Sequence, residues 1–259
     1  MIDKKKAAVL AIALTVLAVA AMIVLFKGQA RGQQPAPAPQ APAAPRPQPA
    51  VVGQPMPDFT LPVYQGGTMT LSSLRGKNVL LLFPRGYAAE NYWCTICNYR
   101  YVELAELEKA EKIRAKYNLE IVVVFPYAQD VVKTWLEALP GQMESIKARK
   151  YPEDAAKLDE AGKARMERSR QIYPNDYALE KGAVLAPFPI LVDGERTLSS
   201  KLDLFRHEWT GSKVDQNIPA VFIVDAAGTL QFKYVSQNTV DRPGYDYLLK
   251  VLEVINAGK

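Results

Sequence analysis

The sequence predicts an α/β domain in which helices cover both faces of a central β-sheet. Three short apolar runs, at 78–83, 119–125 and 220–224, carry almost no polar residue, and a weaker one lies at 189–192. Strands that are buried on both faces give such continuous runs, because helices pack on either side of the sheet. The chain is long enough to bury one good-sized core or two small ones.

The segments between and after these runs supply the order of the elements. Residues 95–117 predict a helix between the first two strands, because helix-forming residues alternate there with spaced apolar positions. The tight turn DAAG at 225–228 joins the run 220–224 to TLQFKYVS, which predicts an antiparallel hairpin. An amphipathic helix at 245–255 closes the domain. A βαβ half followed by a ββα half is the three-layer layout of the thioredoxin-like fold.

Residues 1–27 predict a single-pass membrane anchor. The cluster Lys4–Lys6 precedes an uncharged apolar run from Ala7 to Phe26, which Lys27 closes. A helix of that length spans about 30 Å, the thickness of the hydrocarbon core. The lysine excess before the run places the N-terminus in the cytoplasm and the rest of the chain outside, on the periplasmic side of a bacterial-type membrane. The alternative is a cleaved signal peptide with its cleavage site at 28–30.

Residues 28–50 predict a linker, and residues 51–259 the folded domain. The stretch from Gln33 to Ala50 holds seven prolines in eighteen residues and no large apolar side chain. Such a segment cannot bury enough surface to offset its ordering entropy, and proline favours an extended conformation of about 3.1 Å per residue. The linker therefore holds the domain away from the membrane.

The net charge of +5 belongs to the N-terminal region. The first 50 residues hold six of the 32 basic and one of the 27 acidic residues, so that the rest of the chain is neutral. The sequence pI near 9.0 is therefore no sign of nucleic-acid binding, and no nucleic-acid partner is expected.

Residues 141–186 do not fit the thioredoxin-like layout and are interpreted as a helical insertion. The stretch 153–170 is charged, helix-prone and poor in apolar positions, which is typical of a solvated surface helix. A lid or a docking surface for a partner are the alternatives.

The segment YWCTICN at 92–98 contains the only two cysteines, Cys94 and Cys97. A haem attachment needs His directly after the second cysteine, where this chain has Asn98. A zinc site needs four ligands, and the only histidine, His207, is far away in sequence. A structural disulfide across two residues restricts the unfolded chain very little. A redox dithiol, which requires no cofactor, remains as the favoured interpretation.

The predicted position of the pair supports redox chemistry. Cys94 falls where the helix 95–117 begins, and the unpaired N–H groups and helix dipole there favour a thiolate, which lowers the thiol pKa. Cys97 lies one turn further on and is expected to be more shielded. Cys94 is therefore predicted to attack a substrate disulfide and Cys97 to resolve the mixed disulfide. The space outside the membrane supplies the oxidising compartment that this chemistry needs.

Four other residues are candidates for the same site. Trp93 abuts Cys94 and is predicted to be an exposed aromatic that receives the substrate. Arg85 is interpreted as a surface loop residue and Glu90 as a solvated acid, although either could act on the thiols. His207 is expected at the surface and is left out of the site.

Two motifs resemble those of known proteins. WCTIC at 93–97 resembles the WCxxC active site of thioredoxin-like proteins, and NIPA at 217–220 resembles the loop that carries their cis-proline. The resemblance implies a cis peptide between Ile218 and Pro219, with both residues next to the cysteines and a backbone edge that binds an extended substrate.

The start of the domain resembles the alkyl hydroperoxide reductase and thiol-specific antioxidant group, the peroxiredoxin-like redoxins. The resemblance begins at VGQPMPDFTLP and continues through PRG at 84–86, which with WCTICN resembles an RGxWCxxC pattern with an extra loop at 87–92. It covers residues 51–139 and 187–256. Such relatives are antioxidant or redox-homeostasis enzymes with a redox-active disulfide.

Two departures from the peroxidase pattern favour thiol–disulfide exchange over peroxide reduction. The Pro and Thr of P-x-x-x-T-x-x-C are replaced by Tyr87 and Asn91, and the arginine ahead of strand 220–224 is replaced by Ile218-Pro219. We therefore expect a membrane-anchored thiol–disulfide oxidoreductase. Its partner would be a protein disulfide or dithiol, or a membrane electron donor upstream. A thiol peroxidase is the alternative, and a non-catalytic Cu(I)-binding scaffold is a third possibility.

Overall fold

The computed structural model describes residues 49–258. Its strands and helices are numbered in chain order. The strands are β1 (Thr60–Pro62), β2 (Thr68–Thr70), β3 (Asn78–Phe83), β4 (Tyr87–Ala89), β5 (Tyr92–Trp93), β6 (Leu119–Phe125), β7 (Ile190–Val192), β8 (Phe205–Arg206), β9 (Gln216–Asn217), β10 (Ala220–Val224) and β11 (Leu230–Val235). The helices are α1 (Thr95–Glu111), α2 (Ile113–Lys116), α3 (Gln129–Lys150), α4 (Glu160–Ile172), α5 (Thr197–Lys201) and α6 (Tyr245–Ala257), with short 3-10 turns at Leu71–Leu74 and Ala155–Lys157.

A five-stranded mixed sheet with the order β11-β10-β3-β6-β7 forms the centre of the domain. Strands β3, β6 and β7 are parallel, and β10 runs antiparallel to both β3 and β11. The three strong apolar runs coincide with β3, β6 and β10, and the weaker run contains β7. The predicted thioredoxin-like α/β sheet is therefore confirmed.

The alternation of side chains along β3 explains why its whole sequence is apolar. Leu80 and Leu82 face the larger core, together with residues of α1, α3 and α6, while Val79, Leu81 and Phe83 face the second core. Successive side chains of a strand point to opposite faces, so that both sets must be apolar when both faces are covered.

The predicted helix 95–117 is interrupted near its end. Helix α1 stops at Glu111, because Lys112 adopts a left-handed conformation with φ of 52°, and α2 begins at Ile113. The break lies two turns or more from the cysteines, so that the first turn of α1 is a regular helical scaffold for the pair.

The insertion has a solvated part and a packed part. Helix α4 exposes most of its side chains and buries only Gly162, in agreement with its charged sequence, and Asp159 caps it by accepting a hydrogen bond from the Gly162 N–H at 2.7 Å. The chain then returns to α1, where Tyr173 packs edge-on against Tyr99 and the Asn175 N–H donates to the Tyr99 hydroxyl at 2.9 Å. The insertion therefore reaches the helix that carries the cysteines.

A buried lysine fixes the packed part of the insertion. Lys150, the last residue of α3, is 1% exposed. Its Nζ donates to the carbonyls of Pro174 and Asn175, at 3.4 and 3.1 Å, and to the Asp176 carboxylate. A buried ammonium needs such partners, because an unpaired charge in the interior is costly.

The predicted anchor at 1–27 and nearly all of the predicted linker at 28–50 lie outside the described residues. Between residues 49 and 258, no helix is both long and apolar enough to cross a bilayer.

Candidate active site

The two cysteines meet at the start of α1. Cys94 is the N-cap of this helix, and its backbone N–H donates to the Gly86 carbonyl at 2.8 Å. Cys97 lies in the first turn, which brings its Sγ to 2.7 Å from the Cys94 Sγ, and both are free cysteines. The two sulfurs are therefore close enough to form a disulfide without any change in the course of the helix.

Both sulfurs are buried. Cys94 is 3% and Cys97 6% exposed, so that the expectation of a more shielded Cys97 is wrong. The extra loop 87–92 forms most of the small β4–β5 hairpin directly before Cys94, and Tyr87 and Ala88 pack against the core cluster that contains both cysteines.

The hydrogen bonds to the pair converge on Cys97. The backbone N–H of Arg85 lies 3.4 Å from the Cys97 Sγ, and Nη2 of Arg242 lies 3.7 Å from it. The Cys94 Sγ lies 2.7 Å from the same sulfur, and either thiol can be the donor in that contact. Burial by itself would raise the pKa of Cys97, but these hydrogen bonds and the positive charge of Arg242 lower it to about 6.

The predicted lowering of the Cys94 pKa is wrong. Burial, followed by the hydrogen bond with Cys97, raises the pKa of Cys94 well above its ordinary value. A helix N-terminus offers partial charges only, and the loss of water around a fully buried sulfur outweighs them. The direction of the two pKa shifts favours the proton on Cys94 and the negative charge on Cys97.

Arg85 is buried rather than exposed on the surface as predicted. Its side-chain Nε donates to Gln216 Oε1 at 2.7 Å, and its guanidinium stacks over Trp209 with 5.1 Å to the ring centroid. Burial lowers the pKa of Arg85, while the cysteines oppose that effect. Arg85 thus contributes its backbone N–H to Cys97 and uses its side chain to fix the neighbouring loop.

Arg242 is a site residue that the sequence reasoning missed. It lies 145 positions from Cys97, in the segment between β11 and α6. The predicted hairpin could have indicated the position of Arg242. In an antiparallel hairpin, the end of β11 lies beside the start of β10. The start of β10 in turn pairs with the end of β3, next to the cysteines. In the observed register, Val235 and Phe83 both pair with Ala220. Residues that follow β11 are therefore delivered to the cysteine end of the sheet.

Trp93 is close to the cysteines but is not an exposed substrate platform. It is 7% exposed and stacks on Tyr87 with ring centroids 3.9 Å apart, while Tyr127 contacts both rings edge-on. The prediction failed because the β4–β5 hairpin folds Tyr87 over the indole. Tyr92, the preceding residue, is the exposed aromatic of this hairpin.

The predicted cis peptide between Ile218 and Pro219 is wrong, since residues 49–258 contain no cis peptide bond. The Ile218 N–H donates to the Leu204 carbonyl at 2.7 Å, and the Pro219 carbonyl accepts from the Ser236 N–H at 2.9 Å. Trans is the preferred form of an X–Pro bond, and it satisfies both groups here. Pro219 still lies at the site, because it lines a small cavity next to Cys97.

That cavity has a volume of about 50 Å³ and is bounded by Cys97, Arg242, Pro219, Tyr245 and Leu82, among others. Cys94 does not line it. Glu90 and His207 are exposed, as expected, and His207 pairs with Asp215 away from the sulfurs. No group of three or more His, Cys, Asp or Glu side chains in residues 49–258 is placed to hold a metal ion.

A paired, buried and charge-stabilised dithiol at a helix start in this fold defines a thiol-based redox enzyme of the thioredoxin-like class. The model of the AhpC/TSA family matches residues 52–233. The chain belongs to the AhpC/TSA family, and so to the peroxiredoxin-like redoxins that its motifs resemble.

Solved peroxiredoxins share the fold. The AhpC of Mycobacterium bovis is 16% identical with a TM-score of 0.51, and the match covers 82% of this chain and 96% of that one. The reduced 2-Cys peroxiredoxin of Plasmodium vivax is 18% identical with a TM-score of 0.50, covering 81% of this chain and 83% of that one. At these identities the likeness concerns the fold alone. No curated protein matches the chain by sequence.

Proposed function

We propose that this redox enzyme is a thiol–disulfide oxidoreductase that cycles Cys94 and Cys97 between two thiols and one disulfide. The observation that carries the proposal is the 2.7 Å separation of two free sulfurs in the first turn of α1. In each cycle the two thiols lose two electrons and two protons to a substrate disulfide, which becomes two thiols. The protein itself needs no cofactor for this exchange.

Insulin reduction by a dithiol donor tests the proposed activity. We expect turnover by the unaltered protein and none by Cys94→Ser or Cys97→Ser, because either change removes one half of the disulfide. His207→Ala serves as a matched control, since His207 is exposed and contacts neither sulfur. Equal insulin reduction by the unaltered protein and both cysteine variants would exclude the dithiol as the reacting group.

A thiol peroxidase is the second candidate, and the burial of the pair favours it. With both sulfurs almost fully covered, a protein disulfide needs the cover to open, whereas a small hydroperoxide can react at Cys97 from within the cavity. The thiolate would attack one peroxide oxygen, and the O–O bond would break so that the other oxygen leaves with a proton as water or an alcohol. The resulting sulfenic acid would then condense with the Cys94 thiol to give the disulfide and a water molecule.

Stopped-flow fluorescence with hydrogen peroxide separates the two candidates. Trp93 lies beside Cys94 and reports oxidation of the pair. Oxidation that is complete within seconds at micromolar peroxide, together with slow insulin reduction, would establish the peroxidase. Slow oxidation by peroxide together with rapid insulin reduction would establish the oxidoreductase.

We further propose that the enzyme is anchored in the cytoplasmic membrane with its domain on the periplasmic side, facing a protein partner or a membrane electron donor there. The lysine cluster and the twenty-residue apolar run at 7–26 support this orientation. A fusion of alkaline phosphatase after residue 50 should be active in a bacterial host and should remain in the membrane fraction after carbonate extraction. An inactive fusion would contradict the orientation, and release by carbonate would contradict the anchor.

A further inference from the structure

Arg242 is a part-buried arginine whose guanidinium is held by hydrogen bonds. Its side chain is 9% exposed. Nη1 donates to Ser236 Oγ at 3.0 Å and to the Asp241 carbonyl at 2.7 Å, which leaves Nη2 directed at the Cys97 Sγ, 3.7 Å away. The loop that follows β11 therefore aims one cation at one sulfur of the pair.

The carboxylate of Asp241 forms a long ion pair with Arg242 and is shared with three other donors. Asp241 approaches Arg242 only to 3.6 Å, while its two oxygens accept hydrogen bonds from the Tyr234 hydroxyl and from the N–H groups of Gln237 and Asn238. Those three bonds fold the loop 236–241 around the carboxylate. A buried guanidinium is stabilised by an anion within hydrogen-bond reach, and a thiolate at Cys97 provides one.

The two sulfurs receive unequal support. From outside the pair, the Cys97 Sγ has the Arg242 guanidinium and the Arg85 backbone N–H as donors. The Cys94 Sγ has the backbone N–H of Cys97 and the more distant field of Arg242. The cavity adds a second difference, because Cys97 lines it and Cys94 does not.

We propose that Cys97, and not Cys94, is the sulfur that attacks the oxidant, that Arg242 is the catalytic residue that holds its thiolate, and that Cys94 is the resolving thiol. This order reverses the one that the sequence predicts. The inference rests on the proposed dithiol cycle and applies to either oxidant.

The electron balance is the same for both oxidants. The Cys97 thiolate attacks one atom of an S–S or O–O bond, that bond breaks, and the leaving thiolate or alkoxide takes up a proton. Cys94 then loses its proton and attacks the Cys97 sulfur, which closes the protein disulfide and releases the second thiol, or water from a sulfenic acid. The dithiol loses two electrons and the oxidant gains them.

The attack of the Cys97 thiolate on the oxidant is proposed to take place in the cavity of about 50 Å³. A space of this size exceeds what one water molecule needs, so that a peroxide fits it, whereas the sulfur of a protein disulfide reaches it once the cover opens. An oxidant atom there meets the Cys97 sulfur and the Arg242 guanidinium together. Arg242 is thus placed both to keep the nucleophile ionised and to donate to a leaving group as it becomes negative.

The ionisation of Cys97 can be measured without overlap from the ionisation of neighbouring tyrosines. Burial raises the pKa of Tyr127, Tyr173 and Tyr245, so that all three stay neutral over the range in which a thiol ionises. The charged groups around the pair are Arg85, Arg242 with Asp241 behind it, and Arg100, which lines the cavity next to Cys97 and pairs with Glu103. A change in thiolate content between pH 5 and pH 9 therefore belongs to the cysteines.

The experiment locates the thiolate without any turnover. Reduced Cys94→Ser and Cys97→Ser proteins each keep one cysteine, whose ionisation is followed by thiolate absorbance near 240 nm and by the rate of iodoacetamide alkylation against pH. We expect the cysteine of Cys94→Ser to ionise well below pH 8.5 and that of Cys97→Ser at or above it, because an ordinary thiol has a pKa of about 8.5. The opposite pattern would overturn the proposal.

Variants of Arg242 test the role of the guanidinium. In the Cys94→Ser background, Arg242→Gln should raise the thiol pKa by about 1 to 3 and Arg242→Lys by less, because a lysine keeps the charge. Arg114→Gln is the control, since Arg114 is part-buried and pairs with Glu108 rather than with a cysteine. An unchanged thiol pKa in Arg242→Gln would refute the role of Arg242.

The inference and the proposed function can fail separately. A thiolate on Cys97 in a protein that reduces neither insulin nor peroxide would refute the dithiol cycle but leave the asymmetry of the pair in place. Turnover by a protein whose thiolate is on Cys94 would support the cycle and refute the assigned order.

Discussion

Two segments adjoin the cysteine pair, and their chemistry differs. The β4–β5 hairpin contributes an aromatic cover, in which Tyr87 stacks on Trp93 and Tyr127 contacts both rings. The segment 236–243 instead contributes Arg242, held by Ser236 and by the main chain of Asp241. The first segment packs with the cysteines in an apolar core cluster, where burial disfavours a thiolate, and the second supplies the charge that stabilises one.

The difference explains why the pair is polarised. Burial alone would raise the pKa of both thiols and leave the pair unreactive. A cation on one side lets a single sulfur ionise inside an otherwise apolar site, where its charge is little screened by solvent. We expect changes on the hairpin side to act on stability and access, and changes on the arginine side to act on ionisation.

The largest expected effect comes from Gly86→Ala on the hairpin side. Gly86 has a φ of 79°, and a Cβ there would lie 2.2 Å from the Tyr127 ring. Overpacking and a left-handed backbone together should lower the free energy of unfolding by roughly 2 to 5 kcal/mol, measured by urea denaturation of the reduced protein.

Gly67→Ala is the matched control for Gly86→Ala. Gly67 has a φ of 76°, but a methyl group added to it would meet no atom within 4 Å, so that only the backbone cost of about 1 kcal/mol applies. Equal losses at the two positions would contradict a tight contact between Gly86 and Tyr127.

A smaller effect is expected from Lys150→Met, which removes the ammonium that fixes the segment next to Tyr173. The bonds to two carbonyls and to Asp176 are lost, and we expect about 1.5 to 3 kcal/mol less stability. In the Cys97→Ser background, Cys94 should also be alkylated faster, because Tyr173 lies near Cys94. Lys133→Met on the same helix is the control, since Lys133 is exposed.

Tyr127→Phe is expected to cost roughly 1 to 2 kcal/mol. The Tyr127 hydroxyl accepts from the Tyr87 N–H at 3.0 Å and donates to the Asp215 carbonyl at 2.7 Å, so that its removal leaves both groups without this partner. Thermal denaturation should show the loss, and Tyr247→Phe, at an exposed ring, should show none. If Tyr127→Phe raised the thiol pKa as much as Arg242→Gln does, the assignment of stability to the hairpin side and of ionisation to the arginine side would be contradicted.

The sheet and the cysteine pair were predictable because their signals are local. Strands β3, β6 and β10 are continuous apolar runs, and the CxxC spacing places both sulfurs on one helical turn whatever surrounds them. The polarity of the pair depends on Arg242, which reaches Cys97 across 145 positions and through a loop with no periodic pattern. The burial of Trp93 depends likewise on how the inserted hairpin folds, and neither fact is encoded in a short stretch.

The insertion illustrates the same limit. Its charge pattern correctly predicted that α4 is solvated, but the pattern says nothing of the segment after α4, where Tyr173 is buried against Tyr99. In sequence, Lys150 is indistinguishable from the surface charges around it. Only the carbonyls that the returning chain brings to its Nζ make it a buried residue.

The smallest perturbation needs no substitution. With a Cys97 pKa of about 6, the thiolate forms as pH rises through 6 and is lost as pH falls below it. Alkylation of the unaltered, reduced protein should therefore slow about tenfold between pH 7 and pH 5, while the unfolded chain should show its inflection near pH 8.5. A folded protein whose alkylation follows the unfolded profile would mean that the aromatic cover outweighs Arg242, because burial without a compensating cation leaves both sulfurs protonated at neutral pH.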